Sequence, residues 1–124
     1  MTDPVAEFHL YLYGPFIEGG ELPTRFPSRF ETALARLQTA FPKALIEPDG
    51  SVAWASPTHQ LVAMIYDSGD AIEYVELRGH CRRSDLFQFV TELSGDDEIF
   101  DFAVMQLPER QWKNLQDFAT DLPV

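Results

Sequence analysis

The residues best placed to do chemistry form one run, Gly79-His80-Cys81-Arg82-Arg83-Ser84, between a predicted strand end and a predicted helix start. A thiol beside an imidazole, two guanidinium groups and the amide end of a helix has its thiolate favoured, which is how reactive cysteines are activated. Such a site would use Cys81 as nucleophile and His80 as base, with Arg82 or Arg83 holding an anionic substrate. The plainer reading makes Cys81 a small buried residue and lets the arginines answer nearby carboxylates. Cys81 and His80 are the catalytic candidates, and no residue is assigned a catalytic role.

Other groups carry less. His9, His59 and His80 fall in different predicted elements, without the close spacing of a zinc motif, so no metal site and no cofactor are expected. Asp67-Ser68-Gly69-Asp70 and Asp96-Asp97-Glu98 lack the alternating oxygen ligands and final glutamate of a calcium loop, and read as solvated turn residues. Gly19-Gly20 has no following lysine to make a phosphate cradle. Ser84 has no base near it in sequence and no Gly-x-Ser-x-Gly element around it.

Charge narrows the partners. The chain of 124 residues has 20 Asp+Glu against 9 Lys+Arg, a net charge of -11, while 45% of it is hydrophobic. Enough apolar surface is present to fold despite self-repulsion. No Lys or Arg lies between Lys43 and Arg78, a stretch holding Glu47, Asp49, Asp67, Asp70, Glu73 and Glu76. Phosphate recognition depends on Lys and Arg displacing counterions, so neither nucleic acid nor an anionic membrane is an expected partner. With Cys81 the only cysteine, no internal disulfide forms. The opening residues Met1 to Glu7 lack the basic and apolar pattern of a secretory leader, and the expected compartment is the cytoplasm.

The elements that must position these groups follow from periodicity. Alternation over Glu7 to Tyr13 puts Phe8, Leu10 and Leu12 on one side of a strand and His9, Tyr11 and Tyr13 on the other, with Gly14-Pro15 breaking it. Ser28 to Glu31 fits a capping box, opening a helix through Phe30, Ala33, Leu34, Leu37 and Phe41 that stops at Pro42. Strands over Ala44 to Glu47, Ser51 to Ala55, Gln60 to Tyr66 and Ala71 to Arg78 are joined by short turns, giving consecutive antiparallel hairpins. The almost wholly apolar Gln60 to Tyr66 reads as central. Ser84 caps a second helix with Leu86, Phe87, Val90 and Leu93 inward, ended by Ser94-Gly95. A strand over Ile99 to Leu107 precedes a last helix opened by Pro108 and Glu109, with Trp112, Leu115, Phe118, Ala119 and Leu122 inward.

The predicted order is β-α-β-β-β-β-α-β-α in one domain over residues 1–124. An α+β two-layer sandwich accommodates it, a mostly antiparallel sheet with helices on one face, because each helix has one apolar stripe to hide. In this order it resembles a ferredoxin-like core with additions.

Three functions compete. The first is a non-enzymatic, acidic protein-binding module, acting as an inhibitor or immunity-like protein on a basic partner, with binding residues Trp54, Glu73, Tyr74, Glu76, Arg82 and Arg83. The second is a small Cys81-dependent enzyme acting on an anionic substrate. The third is a small-molecule sensor or carrier with a pocket lined by Phe8, Tyr11, Tyr74 and Phe102. A symmetric homodimer through a sheet edge or apolar patch is a further expectation.

Overall fold

A computed structural model describes residues 7–20 and 22–124. The reading of the opening residues as no secretory leader falls largely on residues 1–6 and so lies outside the described residues. Alternating burial carries the chain through β1 (Phe8–Pro15), β3 (Ser51–Ala55), β4 (Gln60–Ser68) and β5 (Ala71–His80), with the short β2 (Leu45–Ile46) before them in the sheet. β6 (Phe102–Gln106) and β7 (Gln111–Asn114) complete an open, seven-stranded sheet in the order β2-β3-β4-β5-β1-β6-β7. All neighbouring strands are antiparallel. Three helices, α1 (Phe30–Ala40), α2 (Arg83–Ser94) and α3 (Leu115–Ala119), make the chain a mixed α+β fold. None of the described helices is long and apolar enough to cross a membrane.

The hairpins from β2 through β5 form as the turn signals predict. In the first turn Asp49 Oδ1 accepts the Ser51 amide at 2.9 Å, closing Pro48-Asp49-Gly50. β4 lies inside the sheet between β3 and β5, and it leaves Val62 and Tyr66 exposed while burying Leu61, Ala63 and Ile65. β1 continues through Gly14 to Pro15, at the cost of a register irregularity after Leu12.

The predicted last helix needs correction. Pro108 and Glu109 do not open it. Arg110 donates its amide to the Gln106 carbonyl at 2.8 Å, so the segment turns back and Gln111–Asn114 pairs with β6. Unpaired amides and carbonyls on the outer edge of β6 gain partners this way, which outweighs the helical spacing of Trp112. The helix begins only after Asn114, whose Oδ1 accepts the Asp117 amide at 2.7 Å. The order is therefore β-α-β-β-β-β-α-β-β-α.

Helix starts also differ in detail. The residue before α1 is Arg29, and Ser28 spends its hydroxyl oxygen on Arg36 Nη2 at 2.7 Å instead of capping the helix. α2 begins at Arg83, and Asp85 Oδ2 accepts the Arg82 amide at 3.1 Å, which leaves Ser84 inside the first turn. Arg36 reaches from α1 to the end of α2, donating to the Glu92 and Leu93 carbonyls at 2.8 and 3.1 Å. A guanidinium there satisfies carbonyls that the helix leaves open.

Buried residues of all three helices join Leu10, Leu12, Val52, Leu61, Val75 and Leu77 in one apolar cluster. Phe41, Trp54 and Phe89 pack mutually, with ring centroids 4.3 Å apart for Phe41–Trp54 and 6.0 Å for each of the other two pairs. Ring pairs of this kind add about 0.5–1.5 kcal/mol each beyond their buried area.

Candidate functional site

The opposite face of the sheet carries the second half of each alternation, and there the aromatic residues collect. Register places Tyr66 opposite Tyr74 and Tyr11 opposite Glu76. The Tyr74 ring stacks on Tyr66 at 4.8 Å and on Tyr13 at 5.3 Å. Tyr13 meets Trp112 at 5.4 Å, and Trp112 meets Phe16 at the same distance. A continuous aromatic band therefore crosses β4, β5, β1 and β7. Trp112 is 39% exposed. Burial pushes the Tyr13 and Tyr74 phenols above their ordinary value, with neighbouring phenols and Glu73 acting in the same direction. These hydroxyls stay protonated and available as donors.

Glu76 is the hub of the polar part of this face. Its Oε2 accepts from His9 Nε2 at 2.6 Å and lies 3.9 Å from Arg78 Nη2, while Oε1 accepts from the Tyr66 hydroxyl at 3.3 Å. Acidic residues flank the band in sequence, with Asp67 after Tyr66, Glu73 before Tyr74 and Glu18 near Phe16. None of the described Asp and Glu side chains is buried. Cations are spent differently: Arg36 and Arg83 give their donors to backbone carbonyls, and among the described residues only Asp70, Glu76 and Asp121 pair with Lys or Arg. No group of three potential metal ligands occurs among the described residues.

Of the residues singled out for binding, Tyr74, Glu76 and Glu73 belong to this region of β5. Trp54 pairs with the buried Leu61 and faces the apolar cluster, packed on Phe41, Phe89 and the His59 ring. Arg82 is exposed at the start of α2. Arg83 instead holds the chain end, donating to the Leu122 and Thr120 carbonyls at 3.1 and 2.9 Å. Sequence reasoning passed over Tyr13, Tyr66 and Trp112 as binding residues. The signal was present for Tyr13, on the side of its strand opposite Phe8, Leu10 and Leu12, whereas Tyr66 shares its side of β4 with Val62 and Met64 and alternation does not mark it.

The chemistry expected around Cys81 does not assemble. The residue is 4% exposed, and burial, reinforced by the Asp85 carboxylate, pushes its thiol up to about 12. Proximity to a helix start is outweighed by desolvation of the thiolate. A different trio, Ser56, His59 and Asp85, lies nearby. Ser56 Oγ at 2.8 Å and Asp85 Oδ2 at 3.8 Å both face His59 Nδ1, whereas a proton relay needs them on opposite ring nitrogens. The four residues proposed to line one pocket also separate. Phe8 lines a cleft, Tyr11 and Tyr74 lie on the aromatic face, and Phe102 is in the core.

Comparison with known protein families, with curated proteins and with solved structures gives no match.

Proposed function

We propose that the protein is a non-enzymatic, acidic binding module that covers a basic partner protein with its aromatic sheet face. The observation that carries this reading is the band Tyr66-Tyr74-Tyr13-Trp112, partly exposed and flanked in sequence by Glu18, Asp67 and Glu73, which pair with no Lys or Arg among the described residues. Aromatic rings offer large contact area at small entropic cost, and arginine side chains both stack on such rings and pair with carboxylates. An arginine-presenting surface is accordingly the chemistry that fits. Net charge of -11 speeds the encounter with such a partner and repels polyanions. Inhibition of a basic enzyme or neutralisation of a toxin, as an immunity-like protein, is a function of this kind.

In this reading Tyr74, Glu73 and Glu76 are the contact residues, joined by Tyr13, Tyr66 and Trp112. Residues 1–124 act as one domain, and the cytoplasm is the compartment, in keeping with a single buried thiol. The helices form a second layer over the buried sheet face, and β4-β5-β1-β6 with α1 and α2 make an elaborated ferredoxin-like core. Support comes from the strand order and the antiparallel pairing, with β2-β3 and β7 as additions at the two edges.

Affinity capture from native lysate tests the reading, with wild type compared to Tyr74→Ala and Glu76→Lys. A basic protein retained by wild type at low salt, released as salt rises, and lost by both variants is the expected result. Absence of any salt-sensitive partner, or a partner held equally by both variants, overturns it.

A further inference from the structure

We propose that a cleft at the other end of β1 binds an organic ammonium ion carried on an apolar body. The cleft has a volume of about 420 Å³, and its walls include Phe8, Leu107, Pro108, Phe118 and Leu122. That volume lies within the range typical of small-ligand sites, about 300–1,000 Å³. It sits where β1 begins and β5 and β6 end, away from the Tyr66-Tyr74-Tyr13 band, so the proposal stands independently of the protein-docking reading.

Several features agree on the ligand's chemistry. Gln106 lines the cleft, and its Oε1 is buried without a hydrogen-bond partner among the described residues. A buried acceptor left open costs free energy, which a ligand N–H recovers. Glu7, Glu109 and Asp121 also line the cleft, with His9 and His80, and among the described residues no Lys or Arg does. Asp121 is answered by Lys113 at 3.6 Å, but among the described residues Glu7 and Glu109 pair with no cation. Phe8 and Phe118 meet edge to face at 5.4 Å, giving an aromatic wall that also favours a cation. A carboxylate ligand would meet these acids and the open carbonyl of Gln106, and a hydrocarbon would leave that carbonyl unpaired.

The walls are held in place. Arg83 ties down the chain end through its amide to Pro123, at 2.9 Å, and through its guanidinium to Leu122 and Thr120. On the other side the Leu107 amide donates to the His9 carbonyl at 2.9 Å. A cleft whose walls are already fixed loses little entropy when it is filled.

Nuclear magnetic resonance titration of the full chain with phenethylamine, 2-phenylethanol and phenylacetate tests the assignment. Phenethylamine should give saturating shifts at the Gln106 side-chain amide, Phe8 and Phe118, with both isosteres about tenfold weaker or more, the value of one hydrogen bond to a charged group. Gln106→Leu should lower phenethylamine affinity by about the same factor. Should that variant not fold, Glu109→Gln on the exposed rim should still weaken binding severalfold at low salt. No saturation up to about 10 mM, equal binding of the isosteres, or shifts confined to Tyr13, Tyr74 and Trp112 overturns the proposal.

Discussion

Arg83 Nε donates to the carbonyl oxygen of Leu122 at 3.1 Å, which fastens the last turn of the chain to the start of α2. Nη2 of the same guanidinium reaches the Thr120 carbonyl at 2.9 Å. Arg83→Ala should cost about 1–2 kcal/mol in urea unfolding, the worth of such bonds at a half-buried site. Amide exchange should quicken over residues 120–124 in the same variant. An unchanged melt and unchanged exchange would show that the tie carries no weight.

Gly79 gives a sharper test, because its φ of +138° belongs to backbone that L side chains rarely adopt and a Cβ would lie within 1.9 Å of the Gln60 carbonyl oxygen. Gly79→Ala must therefore strain the residue and separate β4 from β5. A loss of about 3 kcal/mol or more is expected. Gly69, at φ +65° with nothing near a new Cβ, is the control, and alanine there should cost only about 1 kcal/mol. Equal losses at both positions would remove the steric account.

The thiol of Cys81 makes stability fall on the alkaline side. Its folded value, pushed up to about 12, lies above its ordinary 9.0, so between these values the unfolded chain has lost a proton that the folded chain keeps. Fewer protons on the unfolded state means that unfolding free energy declines with pH, by up to about 1.4 kcal/mol per unit over that interval. Cys81→Ala should flatten this part of the curve. Iodoacetamide should label native Cys81 more slowly than a free model thiol at neutral pH, and as fast once the chain is unfolded in urea. Rapid labelling of the native protein would revive the enzymatic reading.

The two tryptophans report on different faces. Trp54 packs against Phe41 and Phe89, whereas Trp112 stands in the exposed band beside Tyr13. Binding of a basic partner should change the emission of Trp112 and leave Trp54 unaffected. The change should persist in Trp54→Phe and vanish in Trp112→Phe. Dependence on Trp54 instead would move the interface to the other side of the sheet.

How far the sequence disclosed this arrangement depended on which force decided each element. Ser51 to Ala55 was readable to the residue because Pro48-Asp49-Gly50 sets the turn and Val52 sets the buried side. Leu34, Leu37, Val90 and Leu93 likewise announce their helices by spacing. Gln111 to Asn114 was not readable, since Trp112 falls at helical spacing with Leu115 and the pairing is dictated by the open edge of β6, a partner far more decisive than local propensity. The aromatic face was half legible. Alternation puts Tyr11 and Tyr13 opposite the apolar positions, but only strand order brings them and Tyr66 beside Tyr74, and strand order is a property of the whole chain. Cys81 is the small buried residue of the plainer reading, and Arg82 and Arg83, its neighbours in sequence, turn away from the thiol in space, one to solvent and one to the chain end.

The sheet finishes in two of its shortest strands, Leu45–Ile46 on one side and Gln111–Asn114 on the other. Such brief margins offer little template for a further strand. Growth of this protein into fibrils by edge-to-edge addition is disfavoured for that reason.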